Sequence, residues 1–334
     1  MILLTGATGF VGKETLRKLK QKGYAVRVLV RDTEKTSKDA DFQGIEIVEG
    51  DLVDILSIQN ACQNVEYIIH CAAAVSFHSS DKAMIMGTNV EGTANLVNVA
   101  LEANIRKFIH VSSIAALGRS NDHEPITENT KWKSDGNNSL YAQSKFKAEK
   151  EVYRGIAEGL PAVIALPGVI LGPGNWKSGS SAIFRFASKG IPFYPAGSNG
   201  FVSVGDVADA LIRLMESDFK EGEKFILVSQ SVTYQLILTL IAKELGIRPP
   251  IWLLPPFWAQ MLGLLSELIS KFSGTRPMLS RETSRTSSKR YIYDGSLYST
   301  TFQVKYQNIE EIIKLTCAQF LNSNGNNTQR PKEN

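Results

Sequence analysis

Met1-Ile2-Leu3-Leu4-Thr5-Gly6-Ala7-Thr8-Gly9-Phe10-Val11-Gly12 opens the chain and decides how the rest is read. A short apolar run enters a turn carrying three glycines at a spacing of three, and helical spacing follows over residues 11–22. Strand, glycine turn and helix in that order aim backbone N–H groups and the positive end of a helix dipole at one point. An anion fits there, and a pyrophosphate fits best, because glycines permit the tight turn and the close approach of backbone to ligand.

Outward from this turn the first half keeps the same rhythm. Runs rich in Val and Ile at 2–4, 25–30, 46–48, 67–70, 108–111 and 163–166 are separated by helical segments such as 90–104. The runs are continuously apolar, so both faces are covered, as in a parallel sheet between helical layers. The expected fold class is α/β, a Rossmann-type doubly wound parallel sheet with a smaller C-terminal substrate-binding domain. Residues 1–168 and 201–230 are assigned to the dinucleotide-binding part, with Phe201 to Val204 read as a return to the edge of the main sheet. Residues 169–200 and 231–321 go to the substrate part, with loops at 172–175, 178–181 and 197–200. The polar stretch 322–334 lacks apolar periodicity and reads as an unstructured tail.

With 334 residues, 43% hydrophobic and 21% charged, the chain has the apolar content of a folded globular protein. Its net charge of +4, from 37 basic and 33 acidic residues, is small and dispersed, which argues against a nucleic-acid partner. Cys62, Cys71 and Cys317 form no disulfide framework, and His70, His78, His110 and His123 lack ligand spacing, so no metal is expected. A reduced, cytoplasmic setting follows, and no signal-type segment precedes the first strand. The longest apolar stretch, 251–272, is interrupted by Pro255-Pro256 and carries Gln260, Ser266 and Glu267, a poor membrane span. Its Trp252, Phe257, Trp258, Met261, Leu264 and Leu265 read first as core packing. A lid over an apolar substrate and a peripheral membrane contact are the alternatives.

The end of the second strand separates two cofactors, since an acidic side chain there accepts from a ribose 2′-OH and a basic one accommodates a 2′-phosphate. Arg31, with Lys35 and Lys38 nearby, favours NADP; Asp32, one residue on, leaves NAD open. Gly50-Asp51-Leu52 follows the third strand, in position to meet an adenine. Tyr141 and Lys145 lie four apart on a helix and share a face, so the ammonium is expected to lower the phenol's pKa and prepare it for proton exchange. Ser112-Ser113 follows the run 108–111, at the strand end where α/β sites form. Phe77 and His78 are candidates for the edge of a substrate pocket.

These features resemble the extended short-chain dehydrogenase/reductase family, through residues 5–12, 50–52, 70–74, 89–93, 111–118, 141–145, 166–174 and 201–208. The resemblance implies that Tyr141 is the acid/base, that Lys145 lowers its pKa and holds the nicotinamide ribose, and that Ser113 orients the substrate oxygen. Ser113 is preferred to Ser112 by its distance from Gly118. The cofactor-binding residues are accordingly expected to be Gly6, Thr8, Gly9, Phe10, Val11 and Gly12 of the glycine turn, with Arg31, Asp51, Leu52, Ala72 and Ala73, and with Asn89 matching a position of the family motif near the cofactor. Pro167 and Val169 would then pass the nicotinamide carboxamide.

The departures from the family pattern are informative. Sugar dehydratases of this type carry an Asp-Glu pair where Ile114-Ala115 stand, so elimination of water lacks its acid and base. Nucleotide-sugar epimerases commonly place an arginine where Asn199 stands, and often one at Leu166. Residues 28–32 look instead like the branch of dihydroflavonol 4-reductases, cinnamoyl-CoA reductases and 3β-hydroxysteroid dehydrogenases. The expected activity is reversible NADP-dependent reduction of a ketone or aldehyde, on a small and apolar carbonyl or alcohol substrate. An NAD-dependent nucleotide-sugar epimerase and a non-catalytic NADP-binding sensor are the alternatives, and a homodimer is left open.

Overall fold

The computed structural model describes residues 1–76, 79–119, 124–134, 138–273 and 281–325. Strands β1 (Ile2–Thr5), β2 (Val26–Val30), β3 (Glu46–Glu49), β4 (Tyr67–His70), β5 (Lys107–Val111) and β6 (Ala162–Pro167) form the main sheet with β10 (Lys224–Leu227). Its order is β3-β2-β1-β4-β5-β6-β10, every pairing parallel. The order reverses between β1 and β4, and ligands of such sheets bind at the strand C-termini beside that point.

Alternation along each strand explains the two apolar layers. Leu3, Ile68, Phe108 and Ile164 point to one face and pack with Leu96 and Val97 of the helix Gly92–Glu102. Leu4, Val28, Ile69 and Ile109 point to the other and pack with Leu16 and Leu19 of the helix Phe10–Gln21. The helix Val204–Glu216 completes this second layer through Val207 and Leu211. Truncating any of these fully buried leucines to alanine costs about 2–5 kcal/mol.

The second part contains β7 (Val169–Leu171), β9 (Ser198–Ser203) and β11 (Gln230–Thr233), in the order β11-β9-β7. A small pair joins β8 (Phe193–Pro195) to β12 (Trp252–Leu254). Phe201 and Val202 therefore do not return the chain to the main sheet; they lie in β9, and the edge strand that does return is β10. Nor is 197–200 a loop throughout, since β9 begins at Ser198. Glycines serve contact there: a Cβ on Gly197 would lie 2.2 Å from the Lys289 carbonyl oxygen, and one on Gly200 would lie 2.7 Å from the Val228 side chain. The helix Ile309–Gly325 runs through the first four residues of the stretch read as a tail, and 326–334 lie outside the described residues.

The helix Pro256–Ser273 corrects another expectation. Trp252, Phe257 and Trp258 are 60%, 66% and 58% exposed, so the stretch is not core. Helical spacing of apolar residues is the same for a buried and an unpartnered face, and only the surroundings decide between them. Among the described residues, no helix is long and apolar enough to cross a membrane.

Candidate active site

The glycine turn is built as a cradle. Gly6 has φ +71°, a left-handed conformation that favours glycine, and a Cβ there would fall 2.6 Å from the Ala72 backbone nitrogen. A Cβ on Gly12 would lie 2.1 Å from the Gly6 carbonyl oxygen. The helix Phe10–Gln21 starts after Gly9 with no side-chain cap and no acidic residue in its first turn. Its leading N–H groups are thus left to an external acceptor. Thr8 and Gly9 are exposed, Val11 is half-buried, and the Phe10 ring packs beneath the 172–174 loop. These residues fit a dinucleotide pyrophosphate.

Arg31 stands exposed immediately beyond β2, while Asp32 is half-buried. Asp51 is held by Ser57: its N–H donates to Ser57 Oγ at 3.1 Å, and its carboxylate accepts from the Val53 N–H at 3.3 Å. Leu52 is buried against Gly92, where a Cβ would come within 2.8 Å of it.

A buried chain of hydrogen bonds joins β1, β4 and the Asn89 turn. The Ala72 N–H reaches Thr5 Oγ1 at 3.4 Å, and Thr5 Oγ1 bonds His70 Nδ1 at 2.8 Å. Thr93 donates its hydroxyl to the Asn89 carbonyl at 2.6 Å, so at 3.0 Å it accepts from His70 Nε2–H. That fixes the tautomer. Burial and the nearby Lys145 charge bring the His70 pKa down to about 3, so the ring stays neutral. Asn89 lies in a π-helical turn, Gly87–Glu91. Its Oδ1 accepts from the Ala74 N–H at 2.7 Å, and its Nδ2 donates to the Ala74 carbonyl and Ser144 Oγ, both at 2.9 Å. Its amide thus holds the loop of Ala72 and Ala73 against the helix Leu140–Ala157.

That helix is capped by Ser139, whose Oγ accepts from the Ala142 N–H at 2.8 Å, so Tyr141 enters in the first turn. Ala142, Lys145, Ala148, Glu149 and Val152 line its buried face. Ser113 Oγ accepts from the Ala115 N–H at 3.1 Å and lies close enough to the Tyr141 phenol to favour its ionised form. Ser112 instead donates to Glu149 Oε2 at 3.0 Å. Lys145 is 2% exposed and donates to the Val111 carbonyl at 2.7 Å. Burial lowers its pKa from 10.5 to about 8, against the opposing pull of Glu149 and Cys71.

The structure thus brings Ser113 and Tyr141 into contact, with Lys145 one helical turn below. It differs from the sequence reading in one respect: the Tyr141 phenol lies above its ordinary value of 10.0, because burial outweighs the opposing effect of Ser113. The lysine charge is held by the Val111 carbonyl and does not bring the phenol down. Pro167 ends β6, and Val169 begins β7 half-buried. A Cβ on Gly168, between them, would lie 2.5 Å from the Gly200 carbonyl oxygen. Phe77, His78 and His123 lie outside the described residues, as does the Lys35 side chain.

Sequence reading missed the supporting groups. Glu149 is buried, bonds Ser112 and pairs with Lys224 of β10 at 3.4 Å. Its position four residues after Lys145 was the available signal. The links from Thr5 and Thr93 to His70 had no comparable signal, because they join residues distant in sequence.

A glycine cradle after β1 at the switch point of a doubly wound sheet, with serine, tyrosine and lysine gathered at the C-terminal end of β5 on the same sheet, is the arrangement of an α/β enzyme of the Rossmann class. Comparison gives the particular family: residues 2–227 match the model of the NAD dependent epimerase/dehydratase family, and the chain belongs to it. It is an NAD(P)-dependent enzyme acting on CH–OH or carbonyl groups. A Synechocystis sp. protein provisionally named dihydroflavonol 4-reductase is 28% identical over 300 residues, covering 88% of this chain and 86% of that protein. UDP-glucose 4-epimerase of Vibrio cholerae is 29% identical over 295 residues, covering 82% and 85%. The crystal structure of gox2253 is similar with a TM-score of 0.81 at 32% identity, covering 97% of this chain and 98% of that one.

Proposed function

We propose that this chain is an NADP-dependent oxidoreductase that reduces an apolar ketone or aldehyde to the alcohol, reversibly, with Tyr141 as the proton donor. The observation that carries the reading is the placement of Ser113 beside the Tyr141 phenol beyond β5, with the buried Lys145 ammonium one helical turn away. Ser113 uses one of its two lone pairs on the Ala115 N–H and keeps its own hydrogen for the phenol or a substrate oxygen. Tyr141 delivers its proton to the substrate oxygen, and Lys145, held on the Val111 carbonyl without lowering the phenol's pKa, is the side chain that would hold the nicotinamide ribose. The dinucleotide, when bound, supplies or accepts the hydride. His70, kept neutral by burial, adds no second cation under the site.

Two positions favour reduction over the family's other chemistries. Ile114 is buried and Ala115 has no functional group, so no acid and base flank Ser113 for dehydration. Asn199 is buried and bonded to the Tyr234 hydroxyl at 3.2 Å, not turned out as a cation for a sugar nucleotide diphosphate. The exposed Arg31 supports NADP. A second reading, an epimerase with retained NAD, draws on the Vibrio cholerae relative.

The test follows NADPH and NADH absorbance with the purified chain over a panel of apolar and polar aldehydes and ketones. NADPH consumption with at least one apolar carbonyl is expected. Interconversion of UDP-sugars without net change in cofactor would overturn the reading in favour of the epimerase.

A further inference from the structure

The surface around β12 and the helix Pro256–Ser273 is unlike the rest of the molecule. Ile251, Trp252, Phe257, Trp258, Met261 and Leu265 are all exposed, the helical ones on successive turns of one helix. Residues 249–266 carry no charged side chain, whereas a solvated helix face normally does. The flanks have one dominant sign: between residues 245 and 290 there are seven basic residues against two acidic ones, Glu267 and Glu282. Arg248, beside the start of β12, and Arg290, beyond the helix Arg281–Ser287, are both exposed.

We propose that this face docks on an anionic phospholipid surface, the aromatic and aliphatic side chains entering the interface and the exposed Arg248 and Arg290 meeting the headgroups. Charge and composition favour this occupant. Tryptophans combine an apolar body with a polar N–H and settle at the headgroup level, and arginine and lysine beside them are drawn to anionic lipid. No described helix is long and apolar enough to cross, so the contact is lateral. A second copy of the chain fits less well, because a two-fold contact would set the same exposed arginines against each other. The proposal is independent of the reaction catalysed.

The test is sedimentation of the full chain with phosphatidylcholine vesicles, with and without a quarter phosphatidylglycerol, at low and high salt, alongside the variant F257E/W258E. Wild type should pellet with the anionic vesicles and be released by salt, with a blue shift of tryptophan emission on binding. The double variant should bind about tenfold more weakly, since interfacial affinity follows the buried apolar area. Unchanged NADPH titration would show that the variant is folded. Absence of wild-type binding to anionic vesicles overturns the proposal whatever the variant does. It is also overturned if wild type is a dimer that F257E/W258E separates, which would assign the face to self-association.

Discussion

Lys145→Met should make the cofactor-free protein more stable while disabling it. The ammonium is buried, and its pKa is lowered from 10.5 to about 8. At pH 7 the folded state therefore holds this proton at a cost of about 3 kcal/mol relative to the unfolded chain. Methionine removes the charge and keeps much of the volume, at the loss of the hydrogen bond to the Val111 carbonyl, about 1 kcal/mol. The net expectation is a gain of about 2 kcal/mol in urea unfolding at pH 7. The folded state binds the proton less tightly, so wild-type stability is lowest below pH 8 and recovers as pH rises from 8 towards 10.5. The gap between variant and wild type must accordingly narrow by pH 10. A variant less stable at pH 7, or a gap unchanged between pH 7 and 10, would refute the claim that an incompletely compensated charge is stored under the site.

Three further outcomes are expected. Tyr141→Phe should leave NADPH titration and thermal unfolding nearly unchanged while single-turnover reduction falls by about 10²–10⁴-fold; near-normal turnover would remove Tyr141 from the chemistry. Gly12→Ala forces a Cβ to within 2.1 Å of the Gly6 carbonyl, so calorimetry should show both a lower melting temperature and loss of dinucleotide binding. Arg31→Asp should narrow or reverse the preference for NADPH over NADH in fluorescence titration, and equal wild-type affinities would contradict the assignment of Arg31.

The sheet was legible because its inner strands are covered on both faces and so appear as unbroken apolar runs. Where the reading failed, the deciding interaction was remote. Phe201-Val202 is as apolar as a main-sheet strand, but its partners are β7 and β11, and nothing in the run itself names them. β10, Lys-Phe-Ile-Leu, is no shorter than β1, β3 or β4, but its place at the edge of the main sheet is set by its pairing with β6, which the run itself does not name. At the site, spacing put Lys145 on the face of Tyr141 but could not reveal that the Val111 carbonyl captures the ammonium. The glycines were legible as a pattern, whereas the reason for each, such as the Ala72 backbone against Gly6, required the packing.

The insertion of β7, β8 and β9 between β6 and β10 also sets an order of assembly during synthesis. β6 can pair with β5 once it leaves the ribosome, but its other edge stays open until residues 168–223 have been made and β10 arrives. An open parallel strand of such composition is a template for pairing with another chain. The arriving strand brings its own closure: Lys224 joins Glu149, and the outer N–H of Ile226 is taken by the Glu128 carboxylate at 2.8 Å. A nascent chain stalled or cleaved before residue 224 is thus expected to aggregate through β6, while one extended past residue 227 has an edge with no free ladder donor at Ile226.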